Sequence, residues 1–202
     1  MKNIIFDVGG VLIGYRWKEM LMDYELTEEQ AERIGMIVFS DPIWKEKWDR
    51  GLLSIEELIR HYEANYPAED AVHIRYFIEH AELMRVDLPE VWAEVARLHE
   101  MGYHIYLLSN YSKQLFEKHT SGAEFFAHLD GALISYQVNL CKPEPEIYQE
   151  LLRRYDLNAE ECVFFDDTRE NVEVAEKLGI KSFHVTSTEN LLRELRKMPD
   201  PQ

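Results

Sequence analysis

Five short runs along the chain are apolar at consecutive positions rather than at alternate ones: IIFDV (4–8), HIYLLS (104–109), GALIS (131–135), CVFFD (162–166) and KSFHV (181–185). Continuous apolar runs of this length are what strands of a parallel sheet require when both faces are covered. Helical periodicity fills the intervals between the later runs. Pro89 to Met101 ends at Gly102, Pro145 to Tyr155 carries Ile147, Leu151 and Leu152 on one side, and Asn171 to Leu178 ends at Gly179. Alternating strand and helix predicts an α/β core built on a doubly wound, Rossmann-like parallel sheet.

The interval from Tyr15 to about Val86 breaks this rhythm, because it holds helical patterns and no convincing strand. Thr27-Glu28-Glu29-Gln30 and Ser54-Ile55-Glu56-Glu57 both read as capping boxes, and Asp70 is placed to cap a further helix through Met84. The simplest account is a helical insertion, with residues 1–14 and 87–202 forming the core and residues 15–86 an inserted α-helical subdomain. The tail after Lys197, with its prolines and aspartate, reads as frayed.

Charge narrows the partners. With 22 Lys+Arg against 38 Asp+Glu in 202 residues, the formal net charge is −16. That balance argues against wrapping a nucleic acid and requires any anionic ligand to be held locally. Cys141 and Cys162 are the two cysteines, each beside apolar sequence, which predicts free buried thiols. The N-terminus lacks the pattern of a signal peptide, and no apolar stretch approaches the ~18 residues of a membrane span, so a cytoplasmic protein without membrane contact is expected. An acidic surface is compatible with a monomer or a homodimer.

Ligands of an open parallel sheet collect beyond the carboxyl ends of its strands. The first run ends at Asp7, the second at Ser109-Asn110, the third leads through Ser135 to Cys141-Lys142-Pro143, and the fourth ends at Asp166-Asp167. An acid, a hydroxyl, an ammonium and a pair of acids at one edge form a set suited to phosphoryl transfer.

In this order and context the motifs resemble those of the haloacid dehalogenase (HAD) superfamily, specifically its phosphatase-like members with a helical cap after the first motif. IIFDVGGVLI, LLSN, CKPEPEIY and FFDDTRENVEVA resemble motifs I to IV. The resemblance implies Asp7 as nucleophile, forming an aspartyl-phosphate, with Lys142 neutralising the reacting anions and Ser109 and Asn110 at the phosphate. It implies Mg2+ held by Asp7, the Gly9 carbonyl and Asp167, with Asp166 as ligand or support and Asn171 orienting the Asp167 carboxylate.

One position departs from the family pattern. Most of its phosphatases carry a second aspartate two residues after the nucleophile, and here that residue is Gly9. Glycine keeps the carbonyl but lacks the side chain that serves as general acid and base, a role typically worth about 10² to 10⁴ in rate. A subset of the phosphatases, including bacterial enzymes resembling α-glucose-1-phosphate phosphatase, shares this feature, and sugar 1-phosphates have leaving groups that depend less on an acid. The implied function is a Mg2+-dependent phosphatase acting on a small phosphorylated metabolite, with a sugar phosphate as the expected class. Alternatives are a metal-independent 2-haloacid dehalogenase and a catalytically weak protein that binds a phosphorylated ligand.

The insertion adds an aromatic and cationic set, Tyr15, Arg16, Trp17, Trp44, Lys45, Trp48 and Arg50. Trp44 and Trp48 share one helical face at a spacing of four. Packing accounts for that spacing, while an indole beside a sugar face is the functional expectation for Trp48. Arg16 and Tyr111 are expected near the same mouth. His104 and His184, in strands, are expected to be packed rather than ligating.

Overall fold

A computed structural model describes residues 2–201 of the chain; Met1 and Gln202, the outer ends of the two expected core segments, lie outside the described residues. In chain order the elements begin with β1 (Asn3–Phe6), β2 (Ile13–Tyr15), α1 (Trp17–Asp23), α2 (Glu28–Ser40), α3 (Ile55–Asn65), α4 (Ala68–Glu79), β3 (Arg85–Asp87), α5 (Pro89–Glu100) and β4 (His104–Ser109). They continue with α6 (Lys113–Thr120), β5 (Gly131–Ile134), α7 (Pro145–Arg154), β6 (Cys162–Asp166), α8 (Arg169–Lys177), β7 (Lys181–His184) and α9 (Thr188–Arg196).

Five of these strands pair in parallel in the order β5-β4-β1-β6-β7. Their continuous apolar sequence has a direct structural use. Successive side chains of a strand point to opposite faces, so Ile4 and Phe6 of β1 join one buried cluster with Val91, Val95 and Leu195, while Ile5 joins the other with Ile147, Tyr148 and Leu151. Helices α5 and α9 thus cover one face of the sheet and α7 and α8 the other. From β1 the chain winds outward through β4 to β5, then crosses to β6 and β7 on the far side. The crevice where the winding reverses lies beside the end of β1, which is where an α/β sheet binds its ligand.

β2 and β3 pair antiparallel, Gly14 opposite Val86, and carry the chain out of the core and back. This ribbon was not expected, because each strand has three residues and neither offers a pattern longer than its turn. It straddles both expected boundaries of the insertion. Between the two strands the chain is helical, with α1 to α4, a π-helical turn over Trp44–Trp48 and a 3-10 turn over Ala81–Met84. Both capping boxes form: Thr27 and Ser54 each accept the N3 backbone N–H and receive the N3 side chain in return. Asp70 does not cap a helix. It lies inside α4, paired with Arg33, and α4 stops at Glu79 short of Met84.

The tail also differs from expectation. Tyr103 donates a 2.6 Å hydrogen bond to the Pro199 carbonyl and Met198 is buried, so residues 198–199 are docked on the core. Cys141 and Cys162 are free and buried. Among the described residues no helix is long and apolar enough to cross a membrane.

Candidate active site

Asp7 follows β1 directly and is buried, at 8 % exposure. Three donors converge on its Oδ1: the Val8 N–H at 2.7 Å, the Ser109 hydroxyl at 2.5 Å and the Lys142 ammonium at 3.0 Å. Its other oxygen is thereby left as the carboxylate's open side. Lys142 is itself buried and reaches Asp166 Oδ2 at 2.6 Å, so one ammonium bridges the ends of β1 and β6. Its backbone is fixed from β4's end, since Asn110 accepts from the Lys142 N–H at 2.8 Å and donates to the Lys142 carbonyl at 2.9 Å. Asn110 thus acts on the lysine's main chain as well as facing the adjoining cavity.

The two acids after β6 have different surroundings. Asp166 is fully buried, and besides Lys142 it accepts from the Thr168 N–H (2.8 Å) and the Asn171 amide (2.9 Å). Asn171 therefore supports Asp166, not Asp167 as expected. Asp167 is exposed, and among the described residues the Thr168 hydroxyl, 3.3 Å from Oδ1, is the one side chain bonded to its carboxylate. Carboxylate oxygens of Asp7, Asp166 and Asp167 lie within 4.8 Å of one another. Three acids around one ammonium leave excess negative charge, and the electrostatics register it. Burial lifts the Asp7 carboxyl to about 7, against the lowering effect of Lys142 and with a further push from Asp166 and Asp167. Asp167 is raised as well, by the loss of water around its carboxyl group, although the residue as a whole is exposed, and then by the Asp166 charge. Clustered hard oxygen donors whose charge is not compensated fit a divalent cation such as Mg2+. Asp7 and Asp167 have oxygens to offer it, whereas Asp166 is occupied by its three donors.

The loop after Asp7 is shaped for this approach. Gly10 has φ +71°, and a Cβ there would overlap the Asp167 carboxylate, so the conformation and the space both demand glycine. At Gly9 a Cβ would collide with the Tyr15 hydroxyl and lie 3.0 Å from Cε2 and 3.1 Å from Cζ of the same ring. The volume of an absent side chain is filled by a phenol delivered from β2.

Helical residues close over this edge. Arg50 forms a bidentate pair with Glu144 at 2.8 and 2.9 Å and bonds the Asn139 carbonyl at 2.9 Å. The Ser135 hydroxyl contacts the carbonyls of both Asp49 and Tyr111. A cavity of about 160 Å³ remains, lined by Tyr15, Phe39, Trp44, Asp49, Asn110 and Tyr111 among others. Burial raises the Asp49 carboxyl to about 8, with the Asp7 charge adding to it.

Two expected contacts do not form. Trp48 is 2 % exposed and belongs to the hydrophobic core, because the π-helical turn sends it inward while Trp44, 6.3 Å away between ring centroids, faces the cavity. Arg16 pairs with Asp23 at 2.5 Å on the surface and reaches the Leu83 carbonyl, away from Asp7's donors. His184 is partly buried and contacts the Asp167 carbonyl at 2.9 Å, while His104 is exposed and pairs with Asp130 rather than packing. Asp49 was missed because one acid in WKEKWDRG carries no pattern, and His119 because neither the Tyr111 hydroxyl nor the Ala81 carbonyl it meets leaves a pattern in the residues around it.

The chain is 26 % identical over 201 residues to the sesquiterpene phosphatase AstK of Aspergillus oryzae, covering 98 % of this chain and 96 % of that protein. It is 23 % identical over 214 residues to the D-ribitol-5-phosphate phosphatase of Bacteroides thetaiotaomicron, covering 96 % and 97 %. It also spans 11 % and 32 % of two much longer mouse proteins that it matches. The crystal structure of the HAD family enzyme bt-2542 from Bacteroides thetaiotaomicron, a complex with magnesium and inorganic phosphate, superposes with a TM-score of 0.69 at 23 % identity, over 91 % of this chain and 93 % of that one. The haloacid dehalogenase-like hydrolase model matches residues 1–179, and the chain belongs to that family of hydrolases.

Proposed function

We propose that this hydrolase is a Mg2+-dependent phosphatase that works through an aspartyl-phosphate on Asp7 and acts on a small sugar or polyol phosphate. The observation that carries the proposal is the acid cluster at the sheet edge: three carboxylates with one ammonium between two of them. A dehalogenase without metal has no use for the surplus charge, whereas a metal and a phosphoryl group together do.

Asp7 Oδ1 is held by Val8, Ser109 and Lys142, which fixes the carboxylate plane at the strand end where phosphorus would be attacked. Lys142 lessens the repulsion between this anion and an incoming phosphate, and Asp166 holds the ammonium in place. Mg2+, bound by Asp7 and Asp167 with the Gly9 carbonyl, would neutralise phosphoryl charge. The segment between β2 and β3 acts as the cap that excludes water and selects the leaving group, with Trp44 offering an apolar face and Asp49 a polar one, opposite Asn110 of the core.

The relatives act on very different alcohols by name, a sesquiterpene and ribitol. A cavity of about 160 Å³ is below the ~300–1,000 Å³ typical of drug-sized ligands, which favours the smaller alcohol. A panel of a hexose 1-phosphate, a pentitol 5-phosphate, farnesyl phosphate and 2-chloropropionate, each with Mg2+ and with EDTA, tests this. Mg2+-dependent release of phosphate from the first two supports the proposal. Preference for farnesyl phosphate would overturn the substrate class, dehalogenation in EDTA would overturn the reaction, and binding without turnover would indicate a phospholigand-binding protein.

A further inference from the structure

The side chain that Gly9 lacks is replaced in space by the Tyr15 phenol, and that phenol, on a residue 39 % exposed, is the outer end of a chain of hydrogen bonds whose inner members are buried. The Tyr15 hydroxyl contacts the Tyr111 hydroxyl. Tyr111, 3 % exposed, lies 3.3 Å from His119 Nδ1, and His119, fully buried, places Nε2 at 2.8 Å from the Ala81 carbonyl. These links join β2, the loop after β4, α6 and the 3-10 turn before β3.

The direction of the chain follows from its inner end. A carbonyl can only accept, so His119 carries its proton on Nε2 and presents Nδ1 as an acceptor. Tyr111 must donate to Nδ1, since the opposite arrangement would set two lone pairs against each other in a buried place. The Tyr111 oxygen is then free to accept from Tyr15. Tyr15 in turn directs its own lone pairs toward the volume beside Gly9, next to the acid cluster.

We propose that Tyr15, Tyr111 and His119 form a proton relay that activates the water hydrolysing the Asp7 aspartyl-phosphate, in place of the side chain absent at Gly9. This rests on the phosphatase reading above. In the step, the water oxygen bonds to phosphorus and the bond between phosphorus and the Asp7 oxygen breaks, returning the carboxylate and yielding inorganic phosphate. The water proton passes to the Tyr15 oxygen, the Tyr15 proton to the Tyr111 oxygen and the Tyr111 proton to His119 Nδ1, which becomes an imidazolium still donating to Ala81. The reverse transfer after product release resets the chain. Tyr15 is the member that touches the reacting water; Tyr111 and His119 act through it. The relay in its resting direction accepts protons and does not give them, so it supplies no acid to the first half of the reaction, which a sugar 1-phosphate tolerates better than a polyol phosphate.

The test is rapid mixing of the Mg2+-loaded full chain with an aryl phosphate whose alcohol needs no protonation, following the alcohol and the covalent phosphoenzyme separately. Tyr15→Phe and Tyr111→Phe should each keep a burst of about one alcohol per enzyme, slow the steady state by about 10² to 10³, and accumulate phosphoenzyme. The double variant should be no slower than either single one, because a broken relay cannot be broken twice. Turnover of the parent in mixtures of H2O and D2O should depend on several protons in flight, and of Tyr15→Phe on one. Unchanged turnover in Tyr15→Phe and Tyr111→Phe, or loss of the burst together with the steady state in either one, overturns the relay, the latter by placing the residue in the first step. Should the parent chain itself give neither burst nor turnover, the phosphatase reading fails before the relay is reached. If either phenylalanine variant does not fold, His119→Gln with the same burst and isotope measurements decides the matter.

Discussion

Replacing Asp7 by asparagine removes the proposed nucleophile and also a charge that the fold holds at a cost. Burial takes the Asp7 carboxyl from its ordinary 3.8 to about 7, outweighing the attraction of Lys142. Between those two pH values the folded chain binds more protons at this site than the unfolded chain does, so the metal-free protein loses stability as pH rises through the window. At 1.36 kcal/mol per pKa unit, the full rise corresponds to about 4 kcal/mol above pH 7. Burying an asparagine amide instead costs about 1–3 kcal/mol, which leaves a net gain of about 2 kcal/mol for Asp7→Asn. In a chain of 202 residues each kcal/mol moves the melting temperature by about 2–4 °C. Thermal melts in EDTA at pH 8 should therefore place Asp7→Asn about 4–8 °C above the parent, and the gap should shrink toward zero near pH 5.5. Added Mg2+ should raise the parent at pH 8 and leave the variant nearly unmoved. An Asp7→Asn chain that melts below the parent at pH 8 in EDTA, or a gap independent of pH, would refute the reasoning.

Other residues make separate predictions. Lys142→Met leaves two buried carboxylates, Asp7 and Asp166, without their shared cation; urea unfolding at pH 8 should show a loss of about 3–5 kcal/mol, and a loss under about 1 kcal/mol would contradict the bridge. Gly10→Ala forces a side chain into a φ of +71° and onto the Asp167 carboxylate, so calorimetric titration should show Mg2+ affinity falling at least tenfold, and unchanged affinity would remove Asp167 from the metal site. The tryptophans should separate by assay: Trp44→Ala raises KM for the preferred ester and costs less unfolding free energy than Trp48→Ala, which empties a fully packed core position at about 3–5 kcal/mol in urea unfolding and leaves KM nearly unchanged. Equal effects of the two on KM would overturn that assignment.

The parts legible in the sequence were those with a local cause. β1, β4, β5 and β6 are written as unbroken apolar runs because neighbours bury both of their faces, and the helices after Thr27 and Ser54 announce themselves through capping boxes whose hydrogen bonds close within four residues. The strand-end acids, Ser109 and Lys142 were legible for the same reason: each ends or follows such a run, and the sheet gathers those ends. What escaped depends on contacts, near or far in the chain, that leave no pattern in the residues beside them. β2 and β3 are too short to show alternation, and pair across an interval of about 70 residues. The inward turn of Trp48 comes from a π-helical turn that the spacing of four does not reveal. Nothing local in GYRW tells that the Tyr15 hydroxyl occupies the space beside Gly9, and nothing local in EKHT ties His119 to Tyr111 and Ala81.

The claim that Asp7 attacks phosphorus is tested most directly by acid quenching the Mg2+-loaded chain during turnover of a phosphate ester and mapping the peptides by mass spectrometry. A phosphoryl group on the peptide carrying Asp7, formed in the parent and absent from Asp7→Asn along with all turnover, is the predicted result. Phosphate release that persists in Asp7→Asn, with no phosphorylated Asp7 peptide in the parent, would contradict it.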